Sequence, residues 1–158
     1  SFSDGGDFKT TENAVQQGIK LAEEGANIID IGGQSTRPGA EQITLEEELN
    51  RVIPVIKALR SVISHPISID TTRSEVALSA IEAGADLIND ISGATFDPKM
   101  LSTTATLDVP IILMHIRGTP KTMQKLTEYQ DLVGEIKQFL EKQIQQALEL
   151  GVKHSNLI

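Results

Sequence analysis

Cysteine is absent from these 158 residues, and so is tryptophan. Without a thiol there is no disulfide, no thiolate metal site and no cysteine nucleophile. Aromatic side chains amount to four Phe and one Tyr, too few for a platform that stacks bases. Basic residues are also scarce, 14 Lys and Arg against 22 Asp and Glu for a net charge of −8. That balance speaks against a nucleic-acid partner. No run approaches the roughly 18 apolar residues of a membrane span, so no membrane partner is expected. No basic-then-apolar leader is seen, so secretion lacks support, and the loop-like opening SFSDGGD, with Ser1 in place of a Met, reads as a cut end. Neither GxxxxGK[ST] nor GxGxxG occurs, so any phosphate would be held by a different loop. The three histidines, His65, His115 and His154, form no close pair, which leaves a zinc site little support.

What is present is an ordered alternation. Thr11 to Glu24 carries Val15, Ile19 and Ala22 at helical spacing, with Gly25 as a stop. NIIDI (27–31) reads as a buried strand. Thr44 and Glu47 form a capping box that opens a helix to about residue 62, and Pro54 inside it should kink that helix or cost it a hydrogen bond. ISID (67–70) is a second strand, followed by Thr72 and Glu75 at capping-box spacing. DLINDI (86–91) is a third, followed by Asp97-Pro98 as a helix start. PIILM (110–114) is a fourth. Thr127 and Gln130 cap a long helix with Leu132, Ile136, Leu140, Ile144 and Leu148 at helical spacing, and NLI (156–158) reads as the start of another strand.

Strict alternation predicts parallel strands joined by right-handed crossovers. The segments EEGANIIDIGG and EAGADLINDISG add a weak internal repeat, although any helix-to-strand turn favours glycine at the helix stop. A doubly wound sheet remains open at this point. The favoured reading is a partial (β/α)8 TIM barrel, with residues 1–158 as a single incomplete domain, because four strands and a stub are too few to close a barrel.

Both architectures collect chemistry at the carboxyl ends of the strands. Those ends carry Asp30 and then Gln34-Ser35-Thr36-Arg37, Asp70-Thr71-Thr72, Asn89-Asp90, and Met114-His115. Any one of these polar groups could simply cap the next helix; four strands agreeing points to a common site. Gly32-Gly33 lets a ligand approach the backbone. Thr36 and Arg37 offer a hydroxyl and a planar guanidinium suited to phosphate oxygens. Asp70 and Asn89 together could read the donor–acceptor edge of a planar heterocycle. Alternatively Asp30, Asp70 and Asp90 could converge as carboxylates for glycoside chemistry.

The ordered segments resemble a known family. SFSDGG (1–6) resembles the end of the first signature of dihydropteroate synthases, and GANIIDIGGQSTRPG (25–39) resembles their second signature throughout. SIDT (68–71), INDISG (88–93) and MHIRGTP (114–120) continue the pattern in order. The resemblance implies a TIM-barrel transferase of folate biosynthesis. It would join para-aminobenzoate to 6-hydroxymethyl-7,8-dihydropterin diphosphate, release pyrophosphate with Mg2+ as cofactor, and be a sulfonamide target. Carried over by motif position, Asp70 and Asn89 would bind the pterin, with Ile91 and Met114 lining its pocket. Thr36 would contact the diphosphate, Arg37 would stabilise the leaving group, and Phe2 and Pro38 would border the aminobenzoate. Arg37 and Asp70 would be the catalytic pair.

The resemblance further implies a cytoplasmic enzyme whose full-length form is a homodimer. The family's Mg2+-ligating Asn would lie upstream of Ser1, so no residue of this chain is expected to ligate the metal. Its later Asp-Pro-Gly, Lys and Arg-x-His groups would follow Ile158. The chain is accordingly read as an internal part of such an enzyme, not expected to turn over alone. A rival reading is the methyltetrahydrofolate-binding domain of a corrinoid methyltransferase, which has no use for a diphosphate-gripping STRPG loop. A second rival is a flavodoxin-like regulator, which would show a switch point in its sheet.

Overall fold

Four short strands lie side by side in chain order, all parallel: β1 (Ile29–Gly32), β2 (Ile67–Asp70), β3 (Leu87–Asp90) and β4 (Ile111–Leu113). The computed structural model describes residues 8–37, 40–119, 121–122 and 130–158. Between and around the strands run α1 (Phe8–Glu23), α2 (Leu45–Arg60), α3 (Ser74–Ala83), α4 (Met100–Leu107) and α5 (Leu132–Glu149). Neighbours in sequence are neighbours in the sheet, with no reversal of strand order. The doubly wound and flavodoxin-like readings need such a reversal, so the strand order sets both aside in favour of a barrel arc. Leu157 bridges in parallel to Ile111, and Ile158 exchanges hydrogen bonds with Ile111 and Leu113, each 3.0 Å. The terminal NLI thus extends the sheet on the outer side of β4.

The strands have two unlike faces. Ile29, Ile31, Ile67, Ile69, Ile88, Ile111 and Leu113 are buried in one core with Val52, Val55, Ile56 and Leu59 of α2, Val76, Ala77 and Ala80 of α3, and Met100 and Leu101 of α4. Each such isoleucine contributes roughly 2 kcal/mol on burial, so this helix-covered layer carries most of the cohesion. The intervening positions of each strand face the other way. They are Asp30 and Gly32, Ser68 and Asp70, Leu87 and Asn89, and Ile112. A fully buried strand would be apolar on both faces; the inner face here is instead largely polar.

Local starts and stops follow partly from neighbours and partly from distant residues. The Thr44 side chain accepts from the Glu47 backbone N–H at 3.1 Å, as the capping box requires. α2 continues through Pro54, which lacks an N–H to donate to the preceding turn. The Thr72–Glu75 box does not form. α3 begins after Arg73, and its first N–H, that of Ser74, is bound at 2.7 Å by the Asp97 carboxylate from the loop after β3. Asp97 therefore serves two segments, also accepting from Lys99 at 2.9 Å, while α4 itself starts at Met100 rather than at Pro98.

The long helix differs too. Asp131 caps α5 by accepting from Gly134 at 3.0 Å; Thr127, the expected cap, lies outside the described residues. The buried face of α5 is formed by Gln143 and Ala147, whereas Leu132, Ile144 and Leu148 are exposed. Gln143 donates to the Gly93 carbonyl at 2.6 Å, and the small Ala147 allows close approach, so the helix is turned by a polar anchor rather than by its leucine stripe.

Candidate active site

The inner-face polar residues gather at the strand ends. In a parallel sheet, residues paired in register point to the same side, and Gly32 pairs with Asp70, which pairs with Asn89. Asp30, two residues before Gly32, accepts from the Ser68 hydroxyl, and the Asn89 amide lies 3.4–3.5 Å from both its carboxylate oxygens. The structure thus brings Asp70 and Asn89 to one row on one face, with Asp30 and Ser68 one step below.

Asp70 is the unusual member. Its Oδ1 is buried without a hydrogen-bond partner among the described residues, a situation native proteins seldom tolerate without a ligand or a chemical role. Burial, reinforced by the negative charges of Asp30, Asp90 and Glu48, pushes its pKa up to about 7. The space it occupies exists because residue 32 is glycine. A Cβ there would stand 3.2 Å from Asp70 Cβ and 3.3 Å from Oδ2. We expect Gly32→Ala to displace the carboxylate, seen as a changed Asp70 titration curve by NMR, while costing little in thermal stability.

Asp90 does not join this group. It is the next residue after Asn89, so it faces the helices, where it is fully buried. One oxygen accepts from the Ser92 N–H at 2.8 Å and the Ser92 hydroxyl at 2.7 Å, the other from the Ala94 N–H at 3.1 Å. Burial raises its pKa, and the Ser92 and Ala94 hydrogen bonds oppose that rise. Its carboxylate is committed to shaping the 92–94 turn, so the convergence of Asp30, Asp70 and Asp90 is overturned by strand parity.

Beside the row lies a cleft of about 820 Å³ between the loops after the strands, lined by residues that include Gln34, Thr36, Thr72, Ile91, Phe96 and Lys121. Thr36 and Ile91 meet here as neighbours of one space. Asp70, Asn89, Arg37 and Met114 are not among the residues lining it. Arg37 is exposed, and the Met114 side chain is 45% exposed at the rim. Phe2 and Pro38, the expected border of the aminobenzoate, lie outside the described residues. His115 is packed edge-on against Phe139 of α5, with ring centroids 5.0 Å apart, which gives it a packing contact at the loop base.

The loop that carries Thr36 and Arg37 is held at its stems. Arg51 of α2 donates to the Gly33 carbonyl at 2.9 Å. The Gln34 side chain accepts from the Ile43 N–H at 2.8 Å and donates to the carbonyls of Ser35 and Glu41, both at 2.9 Å. Arg73 donates to the Ile43 carbonyl at 2.5 Å and to the buried Glu48 at 2.7 Å. None of this bracing is legible in the local sequence pattern. Glu48, on the buried face of an amphipathic helix, is the available signal, because a carboxylate placed there needs a partner.

A parallel arc whose strand ends present an unpartnered carboxylate, an amide and a braced polar loop defines a barrel-type α/β protein with a small-molecule site on its rim. The chain belongs to the pterin binding enzyme family, which it matches over residues 1–158. It is 57% identical over its whole length to the dihydropteroate synthase of Synechocystis sp., of which it spans 55%. Among solved structures it is similar to the Xanthomonas albilineans dihydropteroate synthase with 4-aminobenzoic acid, at 45% identity and a TM-score of 0.88, covering 99% of this chain and 55% of that one. The same enzyme in complex with 7,8-dihydropteroate matches with 40% identity and a TM-score of 0.82, over 99% of this chain and 53% of that one. The fold is accordingly the TIM barrel of these relatives, of which the chain forms part; it spans about half their length. No helix among the described residues is long and apolar enough to cross a membrane.

Proposed function

We propose that this chain supplies the strand-end half of a dihydropteroate synthase site, in which para-aminobenzoate displaces diphosphate from 6-hydroxymethyl-7,8-dihydropterin diphosphate. The observation that carries the reading is the unpartnered Asp70 oxygen in register with Asn89, because a carboxylate beside an amide is what the donor-and-acceptor edge of a pterin requires. Relatives that hold 4-aminobenzoic acid or 7,8-dihydropteroate support it. In the reaction, the bond from the pterin methylene to the diphosphate oxygen breaks, and a bond to the aminobenzoate nitrogen forms. The amine loses a proton to solvent.

Positive charge develops on the pterin as the leaving group departs. Asp70, when ionised, steadies that charge, and Arg37 steadies the negative charge growing on the diphosphate. Thr36 contributes a hydroxyl to the same oxygens, Ile91 and Met114 border the ring, and Phe2 and Pro38 border the aminobenzoate. The braced Thr36–Arg37 loop favours a diphosphate-bearing substrate over the methyl carrier of a corrinoid methyltransferase. Magnesium is implied by the family, yet no three His, Cys, Asp or Glu side chains among the described residues converge to hold a metal. If bound with the substrate in the full-length protein, the ion would add positive charge at the departing diphosphate. Cytoplasmic location and a homodimeric full-length protein belong to the same proposal.

The test is turnover by the full-length protein that carries these residues. Pyrophosphate release should require both substrates together, and Arg37→Ala should lower kcat/KM about 100-fold, the usual scale for removing one group that stabilises developing charge. Absence of pyrophosphate release from the unsubstituted protein would refute the assignment.

A further inference from the structure

From the chain of contacts that joins two of these loops, we infer that Arg73 is a positioning residue, which holds the diphosphate-facing loop in register with the pterin-facing strand end. The inference rests on the function proposed above. Arg73 follows β2 by three residues, and its side chain is 23% exposed. One guanidinium nitrogen donates to Glu48 Oε2 at 2.7 Å, the other to the Ile43 carbonyl at 2.5 Å. Glu48 is 2% exposed, and its second oxygen accepts from the Thr71 hydroxyl at 2.7 Å. The same hydroxyl accepts from the Arg73 N–H at 3.2 Å.

Thr71 is bonded directly to Asp70, and Ile43 is gripped on its N–H side by Gln34. A continuous set of hydrogen bonds therefore runs from the residue after Asp70, through Glu48 and Arg73, to the stem of the loop bearing Thr36 and Arg37. The planar, forked guanidinium suits such a bridge. It reaches a carboxylate and a carbonyl at once in a fixed geometry, which a lysine ammonium on a flexible stem does not reproduce. Because Arg73 is absent from the lining of the cleft, it acts through the loop it holds. Its loss should be felt most by the part of the substrate that the loop contacts.

The experiment is a binding titration of the full-length protein and its Arg73→Met and Arg73→Lys variants with two probes. One is 6-hydroxymethyl-7,8-dihydropterin diphosphate; the other is the same pterin alcohol without diphosphate. Arg73→Met should weaken the diphosphate probe about tenfold while leaving the alcohol within about twofold, and Arg73→Lys should fall between wild type and Arg73→Met. Circular dichroism on both variants reports folding, and Arg73→Lys, which keeps the charge beside Glu48, carries the test if Arg73→Met does not fold. Equal loss of both probes would show a general structural role and overturn the inference, as would no loss of either. If the unsubstituted protein binds neither probe, the proposed function fails and the inference falls with it. If that protein binds both and the variants show no difference between the probes, only the inference fails.

Discussion

Asp70→Asn is expected to make the protein more stable at pH 8 and nearly unable to bind a pterin. In the folded protein the Asp70 carboxyl has a pKa of about 7, against a reference value of 3.8. Between those values the folded state holds the extra proton, so stability falls as pH rises from 3.8 to about 7, and the loss is complete above 7. Asparagine removes the charge and so removes the loss. The gain at pH 8 should be about 2 kcal/mol after allowing for the solvent that reaches this half-buried group, and it should vanish only below about pH 3, where the wild-type group is protonated in the folded and the unfolded protein alike. Pterin affinity should drop about 100-fold, because the amide cannot meet the pterin's donors as a carboxylate does. Melting curves at the two pH values, with a pterin titration at pH 8, check both halves. A destabilised variant at pH 8 would contradict the account of Asp70 as a strained, ligand-directed group.

Gly93→Ala should be the most damaging of the simple glycine substitutions. Gly93 has φ +60°, in the left-handed region, and a Cβ there would stand 2.7 Å from the Met114 carbonyl oxygen and 2.8 Å from the Phe139 ring. One of those neighbours is backbone and the other is a ring held against His115, so neither yields cheaply. Backbone strain plus overpacking predicts a loss of about 3 kcal/mol. Gly25, with φ +100°, has nothing within 4 Å of its would-be Cβ, so Gly25→Ala should show strain alone, about 1 kcal/mol. Urea unfolding of the pair separates the two contributions. Similar losses in both variants would show that the 92–94 turn is not tightly packed against α5 and the loop after β4.

The strand positions and their order were legible because each strand is a short apolar run between a helix and a polar loop, with Gly25 and Gly84 marking the helix stops before β1 and β3. ISID matched β2 residue for residue. The family was legible because its motifs sit in those loops in sequence order. What local pattern concealed was set by parity and by distant partners. Asp70 and Asp90 look alike as polar ends of apolar strands, yet one faces the site and the other the helices, and a one-residue difference in phase decides it. The cap of α3 comes from Asp97, beyond the reach of any capping box. The inward side of α5 follows Gln143, whose partner is the Gly93 carbonyl. The bracing of the Thr36–Arg37 loop by Arg51, Gln34 and Arg73 depends on three segments meeting, which no single stretch of sequence announces.

The unbroken strand order has a consequence for how the chain comes off the ribosome. When β2 emerges, its partner β1 has already been made; when β3 emerges, β2 is waiting, and β4 finds β3 in turn. Each helix likewise packs against the one before it, α2 on α1, α3 on α2 and α4 on α3. Growth can thus proceed by addition at a single advancing edge, each new strand and helix docking on an existing template instead of waiting for a distant segment to be synthesised. At the growing side of the sheet the exposed template is the most recent strand, and the segment that protects it is the next to leave the tunnel.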